Sequence, residues 1–164
     1  MSVKLVTTSI MKILLILTGK TTESYLKEGI DIYLKRLSNY VSVSLNVIST
    51  SSIKDRRKAI EEESRNIKTK LIPGDFIVVL DEKGKEIGSR QLSALIEKWM
   101  VQGIGRVVFI IGGPFGISSE LKENSNYLLS VSQFTFTHQM VRLILVEQLY
   151  RAMTIVKNES YHHD

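Results

Sequence analysis

Three stretches in the last third of this 164-residue chain hold residues whose types and spacing could do chemistry. Gly112-Gly113-Pro114-Phe115-Gly116 follows an apolar run, Phe134-Thr-Phe-Thr-His-Gln-Met-Val-Arg142 opens an apolar helix pattern, and Tyr161-His162-His163-Asp164 ends the chain. All three histidines, His138, His162 and His163, lie in this third. Glycines after a strand let the backbone approach a ligand or adopt positive φ, and amides at a helix start can hold an anion. A tight strand-to-helix turn uses the same glycines with no ligand. The spacing is neither Gly-x-Gly-x-x-Gly nor a phosphate loop with its Lys-Ser/Thr pair. That disfavours a nucleotide gripped by its phosphates and allows a cofactor held through its base and ribose.

His138 and Arg142 stand four apart, on one face at the start of a helix. Two readings are open: a pair addressing a base or phosphate, or a helix-capping His beside an Arg paired with Glu147. Like charges at this spacing call for a neutral His138 or a shared anion. Terminal residues fray in most chains, but an ordered Tyr161-His162 tail could close over a base and move a proton near neutral pH. Adjacent histidines chelate poorly and no third ligand stands at metal spacing, so no metal is expected.

Positioning such residues requires a scaffold, and the pattern is one of strands alternating with helices. Short apolar runs at Ile13 to Leu17, Phe76 to Leu80, Arg106 to Ile111 and Tyr127 to Val131 read as strands, and Val41 to Ile48 as a half-buried one. Helical spacing marks Thr22 to Tyr40, a charged stretch Lys54 to Lys70, Arg90 to Val101 capped by Ser89, Ser119 to Asn124 capped by Ser118, and His138 to Val156. A turn is expected at Asp81-Glu-Lys-Gly84. Continuous apolar strands joined by helices need a mainly parallel sheet flanked by helices on both faces, an α/β fold. Ligands in such sheets sit beyond the carboxyl ends of the strands, which singles out Leu80, Gly112 and the residues after Val131. The last helix is apolar nearly all round and demands burial on more than one side, by a partner subunit or by the core.

Composition excludes several classes. With 43% hydrophobic and 24% charged residues the chain is globular, of single-domain size, and zero cysteines remove disulfides, thiolate nucleophiles and cysteine-bound zinc. The net charge of +5 is compatible with a polyanionic partner. Lys54-Asp-Arg-Arg-Lys58 is followed by Glu61-Glu-Glu63, where i to i+4 pairing is expected to neutralise much of the basic run. No run approaches the ~20 apolar residues of a membrane span, and the apolar segment after Lys12 is too short for a signal peptide, so a cytoplasmic, soluble protein is expected. Residues 1–10 lack a pattern and read as an extension, with a single domain over 11–164.

In this order, Phe109-Ile-Ile-Gly-Gly-Pro-Phe-Gly-Ile117, Phe134 to Arg142, Glu147-Gln-Leu-Tyr-Arg-Ala152 and Tyr161-His162 resemble the successive motifs of the RlmH family. Met11-Lys-Ile-Leu-Leu-Ile-Leu-Thr-Gly-Lys20 resembles its N-terminus, so the likeness spans Met11 to His163. RlmH enzymes are SPOUT-class methyltransferases that use S-adenosylmethionine to methylate N3 of a pseudouridine in 23S rRNA within the 70S ribosome. The resemblance implies a C-terminal trefoil knot, a homodimer and no metal. It implies cofactor contacts at Leu80, Gly112, Val131, Ser132, Gln133, Phe134, Thr135 and Phe136. It further implies that Arg142 stabilises the base anion or a phosphate, that His138 positions base or cofactor, and that Tyr161 and His162 close the site, either their own or that of the partner subunit. Glu147 is expected to be an ion-pair partner, and Arg142→Ala or His162→Ala to lower methyl transfer with the fold intact. Thr137 departs from the family's usual proline, which implies a less rigid loop. Two rival readings are a non-catalytic basic RNA- or ribosome-binding α/β module, which would not bind S-adenosylmethionine, and an unrelated flavodoxin-like domain, which would bind flavin or nothing.

Overall fold

The structure is a computed structural model and describes residues 10–163; the expectations for residues 1–9 fall outside them. Ten elements follow one another: β1 (Lys12–Thr18), α1 (Ser24–Leu37), β2 (Ser42–Ile48), α2 (Arg56–Lys68), β3 (Phe76–Glu86), α3 (Ser89–Val101), β4 (Arg106–Ile111), α4 (Ser119–Glu123), β5 (Tyr127–Ser130) and α5 (His138–Val156). The strands form one sheet in the order β2-β1-β4-β3-β5, and every neighbouring pair is parallel. A parallel strand covered on both faces has no solvent side, which is why β1 buries every residue but Lys12 and β4 every residue but Arg106.

The two faces have separate cores. Ile13, Leu15 and Leu17 of β1 and Val107, Phe109 and Ile111 of β4 pack with Ile30, Ile96, Leu145 and Leu149 from α1, α3 and α5. Their alternates Leu14, Ile16, Val108 and Ile110 pack with Ile67 of α2 and Leu121 of α4. Period-two alternation in an all-apolar run thus feeds both layers. α5 lies against α1 and α3, so the core accounts for much of its apolar surface: Leu145, Val146, Leu149, Ala152 and Met153 are all buried inside one chain.

Two local expectations change. Residues 81–84 leave the ladder, but β3 resumes beyond them, with Leu129 facing both Leu80 and Lys85. A Cβ on Gly84 would stand 2.7 Å from the Leu129 carbonyl carbon, so only glycine lets the returning strand cross so close to β5. Ser89 is the first helical residue of α3 rather than its cap. Gly88 holds the cap position, its amide donates to Gln91 Oε1 at 2.9 Å, and the Ser89 hydroxyl reaches Gln148 of α5 at 2.6 Å.

Asp75, just before β3, ties the amino edge of the sheet together. Its carboxylate accepts from Arg106 Nε at 2.7 Å and Nη2 at 2.6 Å, and from the Ile72 amide at 2.8 Å. Burial pushes the carboxyl upward, yet the hydrogen bonds from Arg106 and Ile72, with the Arg106 charge, together hold it below its ordinary value. Asp75→Ala leaves Arg106 unpaired and is expected to cost about 3 kcal/mol in urea unfolding. Because the folded-state value is depressed, this contribution is complete above the unfolded carboxyl value of about 4 and is lost as pH falls below it; stability curves of wild type and variant should converge there.

Candidate functional site

At the carboxyl edge of the sheet the segments following Leu80, Ile111 and Ser130 wall a cavity of about 900 Å³. Parallel pairing puts these three strand ends side by side, and the start of α5 and the residues before α1 complete the wall. Leu80, Gly112, Val131, Ser132, Phe134, Thr135, Phe136 and His138 all line it. Gln133 does not; its amide donates to Glu86 Oε2 at 3.2 Å. The volume is that of a small-molecule site.

The loop after β4 folds on itself. Gly113 and Gly116 form an isolated bridge, Gly116 adopts φ +85°, and its amide donates to the Gly113 carbonyl at 3.0 Å. A Cβ at position 112 would meet Ile117 at 2.7 Å and the Gly116 carbonyl at 2.9 Å. Glycine is therefore required at 112 by the turn's own closure. The loop after β5 is pinned by the Ser130 hydroxyl donating to the Ser132 carbonyl and the Phe134 amide donating to Ser132 Oγ, both at 3.0 Å. Thr137 caps α5 by accepting from the Met140 amide at 3.1 Å. This hydroxyl fixes the helix start that a proline would fix by its ring, so the segment is tied down and His138 is not the cap.

His138 lines the cavity and makes no hydrogen bond among the described residues. Burial, then the charge of Arg142, push its imidazole below the ordinary value, so it is neutral at neutral pH. Arg142 itself is 1% exposed. It donates to the Thr18 carbonyl at 2.7 Å and to Thr21 Oγ1 at 2.9 Å, with no carboxylate partner among the described residues and Nε unbonded. Arg142 was expected to meet a base or phosphate; in this chain its guanidinium bonds the end of β1 and is not among the groups lining the cavity.

The tail is ordered but lies elsewhere. Tyr161 donates to Glu147 Oε1 at 3.1 Å, shares a 3.3 Å contact with the Tyr33 hydroxyl, and sets its ring edge-on to Tyr150 at 4.7 Å. Arg151 lies 4.6 Å from the Tyr161 ring centroid, pairs with Glu147 at 2.6 Å, and stands 3.5 Å from His162 Nδ1. These anchors are nine to thirteen residues along α5 from His138, roughly 14–20 Å at 1.5 Å per residue. Within one chain, Tyr161 and His162 do not cover the cavity.

Other lining residues were not expected at the site. Glu23 is the N-cap of α1 and Tyr25 lies in its first turn, next to Thr22, whose amide donates to Gln139 Oε1 at 2.8 Å, and Asp81 is held by Lys122. Arg56 lies 5.8 Å from the Phe115 ring centroid, and both line the cavity. In the sequence Asp81 reads only as part of a turn, Arg56 only as part of a charged helix and Phe115 only as part of the glycine loop, and Glu23 and Tyr25 carry no site signal. Among the described residues no three His, Asp or Glu side chains are placed to hold a metal, and no helix is long and apolar enough to cross a membrane.

A family model described as "Predicted SPOUT methyltransferase" matches residues 11–162. The Ribosomal RNA large subunit methyltransferase H of Parabacteroides distasonis is 45% identical over 157 residues, 94% of this chain and 100% of that protein. The protein of the same name from Flavobacterium psychrophilum is 44% identical over 93% of this chain and 99% of its own length. The chain belongs to the RlmH family of SPOUT methyltransferases. A crystal structure titled "Probable Methyltransferase from Bordetella pertussis Tohama I" superposes with a TM-score of 0.55 at 12% identity, covering 88% of this chain and 98% of that one, which shows the shared fold.

In this SPOUT methyltransferase the cavity wall and the sheet edge are one structure, so small changes in the loops should be felt in stability. Gly112→Ala is expected to cost about 1–3 kcal/mol in denaturant unfolding, because the new Cβ must displace backbone. Arg142→Ala should cost about 3 kcal/mol, leaving the Thr18 carbonyl buried without its donor. This replaces the expectation of an intact fold, and a melting curve of the variant decides between them.

Proposed function

We propose that this chain is an S-adenosylmethionine-dependent methyltransferase acting on N3 of a pseudouridine in 23S rRNA of the assembled 70S ribosome. The observation that carries the reading is the single cavity at the ends of β3, β4 and β5, into which seven of the eight expected cofactor positions face, in a chain of the RlmH family. The residues present fit the cofactor. Leu80, Ile111, Ile117 and Leu129 offer apolar walls for its adenine, and the pinned loop 130–135 offers hydroxyl and peptide groups for its ribose. When bound, S-adenosylmethionine supplies an activated methyl group on a positively charged sulfonium. The protein's part is to align that methyl with N3 and to remove the N3 proton.

We assign the proton to His138. Its neutral imidazole faces the cavity without a competing hydrogen bond, and Arg142, four residues on, discourages protonation before the reaction. With the cofactor held there, the N3–methyl bond would form as the sulfonium–methyl bond broke to a neutral thioether, and His138 would take the N3 proton and pass it to water. Arg142 acts as a positioning residue that locks the start of α5 to the end of β1.

The tail enters through a homodimer. Docked on Glu147, Tyr150 and Arg151, Tyr161 cannot reach its own cavity, so closure by Tyr161 and His162 belongs to a partner subunit facing α5. The half-buried Met140, Ile144 and Ile155 on α5 suit such a contact. The family's trefoil knot is part of this reading, with the loops after β4 and β5 in the knotted segment.

Tritium transfer from labelled S-adenosylmethionine to 70S ribosomes, with nucleoside mass spectrometry of the product, tests the function; no transfer to ribosomes contradicts it. His138→Gln should lower kcat by about 100-fold or more with cofactor affinity within a few-fold of wild type. Wild-type kcat should be flat above pH 6.5 and fall only below it, because the imidazole titrates under its ordinary value of about 6.5; a profile that declines through pH 7 contradicts the assignment. Light scattering of the full chain should read a dimer mass.

A further inference from the structure

The basic run at the start of α2 is not neutralised as its sequence suggests. Of the three glutamates that follow it, Glu63 is buried and accepts from the Ser51 amide at 2.9 Å, and Glu62 takes the Ser51 hydroxyl. Only Glu61 is left, and it pairs with Arg57 at 3.2 Å. Asp55 caps the helix through the Lys58 amide at 2.9 Å. Lys54, Arg56 and Lys58 are therefore exposed, and none of the three has an ion-pair partner among the described residues. This ridge runs into the cavity mouth, where Arg56 lies over Phe115, a ring that remains 45% exposed. Phe134, 80% exposed, and Tyr25, 60% exposed, stand on the same mouth.

An exposed row of unpaired cations beside open aromatic rings is the surface single-stranded nucleic acid takes: phosphates on the cations, bases on the ring faces. Of the other charges at the mouth, Asp81 is held by Lys122, and neither Glu23 nor Glu82 forms an ion pair with Lys54, Arg56 or Lys58 among the described residues. We propose that Lys54, Arg56 and Lys58, with the ring of Phe115, form the seat for the single-stranded RNA that flanks the target nucleotide. The proposal rests on the rRNA methyltransferase reading and adds where the strand runs: from the cavity across the β4–α4 loop onto the start of α2, away from the α5 face assigned to the partner subunit. A modest net charge of +5 then suffices, because the uncompensated part is gathered beside the site.

The test is steady-state methyl transfer to 70S ribosomes by the full chain and by a Lys54→Gln/Lys58→Gln double variant, at several salt concentrations. Neither lysine lines the cavity, so kcat and the calorimetric affinity for S-adenosylmethionine should stay within twofold of wild type. KM for ribosomes should rise at least fivefold, and the slope of log KM against log salt should fall by about 1.4, near 0.7 for each lost phosphate contact on a single strand. Phe115→Leu should raise KM on the order of tenfold through the lost stacking face. Wild-type KM and slope in the double variant overturn the proposal while leaving the methyltransferase reading intact. Wild-type protein that binds S-adenosylmethionine but methylates no ribosome overturns both. The chain has no cysteine, so an iron chelate on Arg57→Cys is uniquely placed. Hydroxyl-radical cuts in 23S rRNA next to the methylated nucleotide support the seat, and cuts confined to a ribosomal protein overturn it.

Discussion

Because β3, β4 and β5 run parallel, their carboxyl ends meet at one edge of the sheet, and everything the site contains hangs from that edge. The loops leaving Leu80, Ile111 and Ser130 cannot diverge without unzipping strands that are buried on both faces. Each loop then secures itself. Residues 112–117 close through the Gly113–Gly116 bridge, 130–134 through Ser130 and Ser132, and 81–84 through Asp81, which holds Lys122 and accepts from the Lys83 amide at 2.9 Å. A cavity built this way exists before its ligand arrives, which lowers the ordering cost of binding.

Arg142 connects this edge to the rest of the molecule. A buried guanidinium with only neutral acceptors is an unusual expense in a core, and here its charge does two things. It bonds the carbonyl that ends β1, fixing the start of α5 against the sheet, and it stands close enough to His138 to help hold that imidazole neutral. One side chain that is not among those lining the cavity thus ties the end of β1 to α5 and shapes the surroundings of His138. The C-terminal tail shows a similar division: Tyr161 is anchored by Glu147 and Tyr33 so firmly that its phenol is raised well above the ordinary value, by burial first and then by those two hydrogen bonds. Such a group holds a position rather than exchanging protons.

Most of the scaffold was legible because each strand is an apolar run and each helix carries its spacing. The α5 boundaries, His138 to Val156, follow from periodicity alone, and the strand-end rule leads to Leu80, Gly112 and the segment after Val131 before any ligand is considered. What stayed illegible depends on contacts far apart in the chain. Turn residues at 81–84 look the same whether or not the strand resumes. Arg142 reads as a cation for a base, a phosphate or Glu147 because arginine is seldom fully buried without a charged partner, and only the fold brings Thr18 to it. Glu62 and Glu63 have helical spacing to the basic run, but Ser51 claims them first. Tyr161 could be placed on a lid by family likeness, whereas Tyr33, Tyr150 and Glu147 place it at the far end of α5.

The central claim is that the three strand-end loops jointly hold the cofactor. Amide hydrogen exchange of the full chain with and without S-adenosylhomocysteine, the demethylated product, tests it most directly. The account predicts slowed exchange concentrated in residues 80–83, 112–117 and 130–138, with α2 and the α5 C-terminus unchanged. Binding that protects other segments while leaving these three at their ligand-free rates would contradict it.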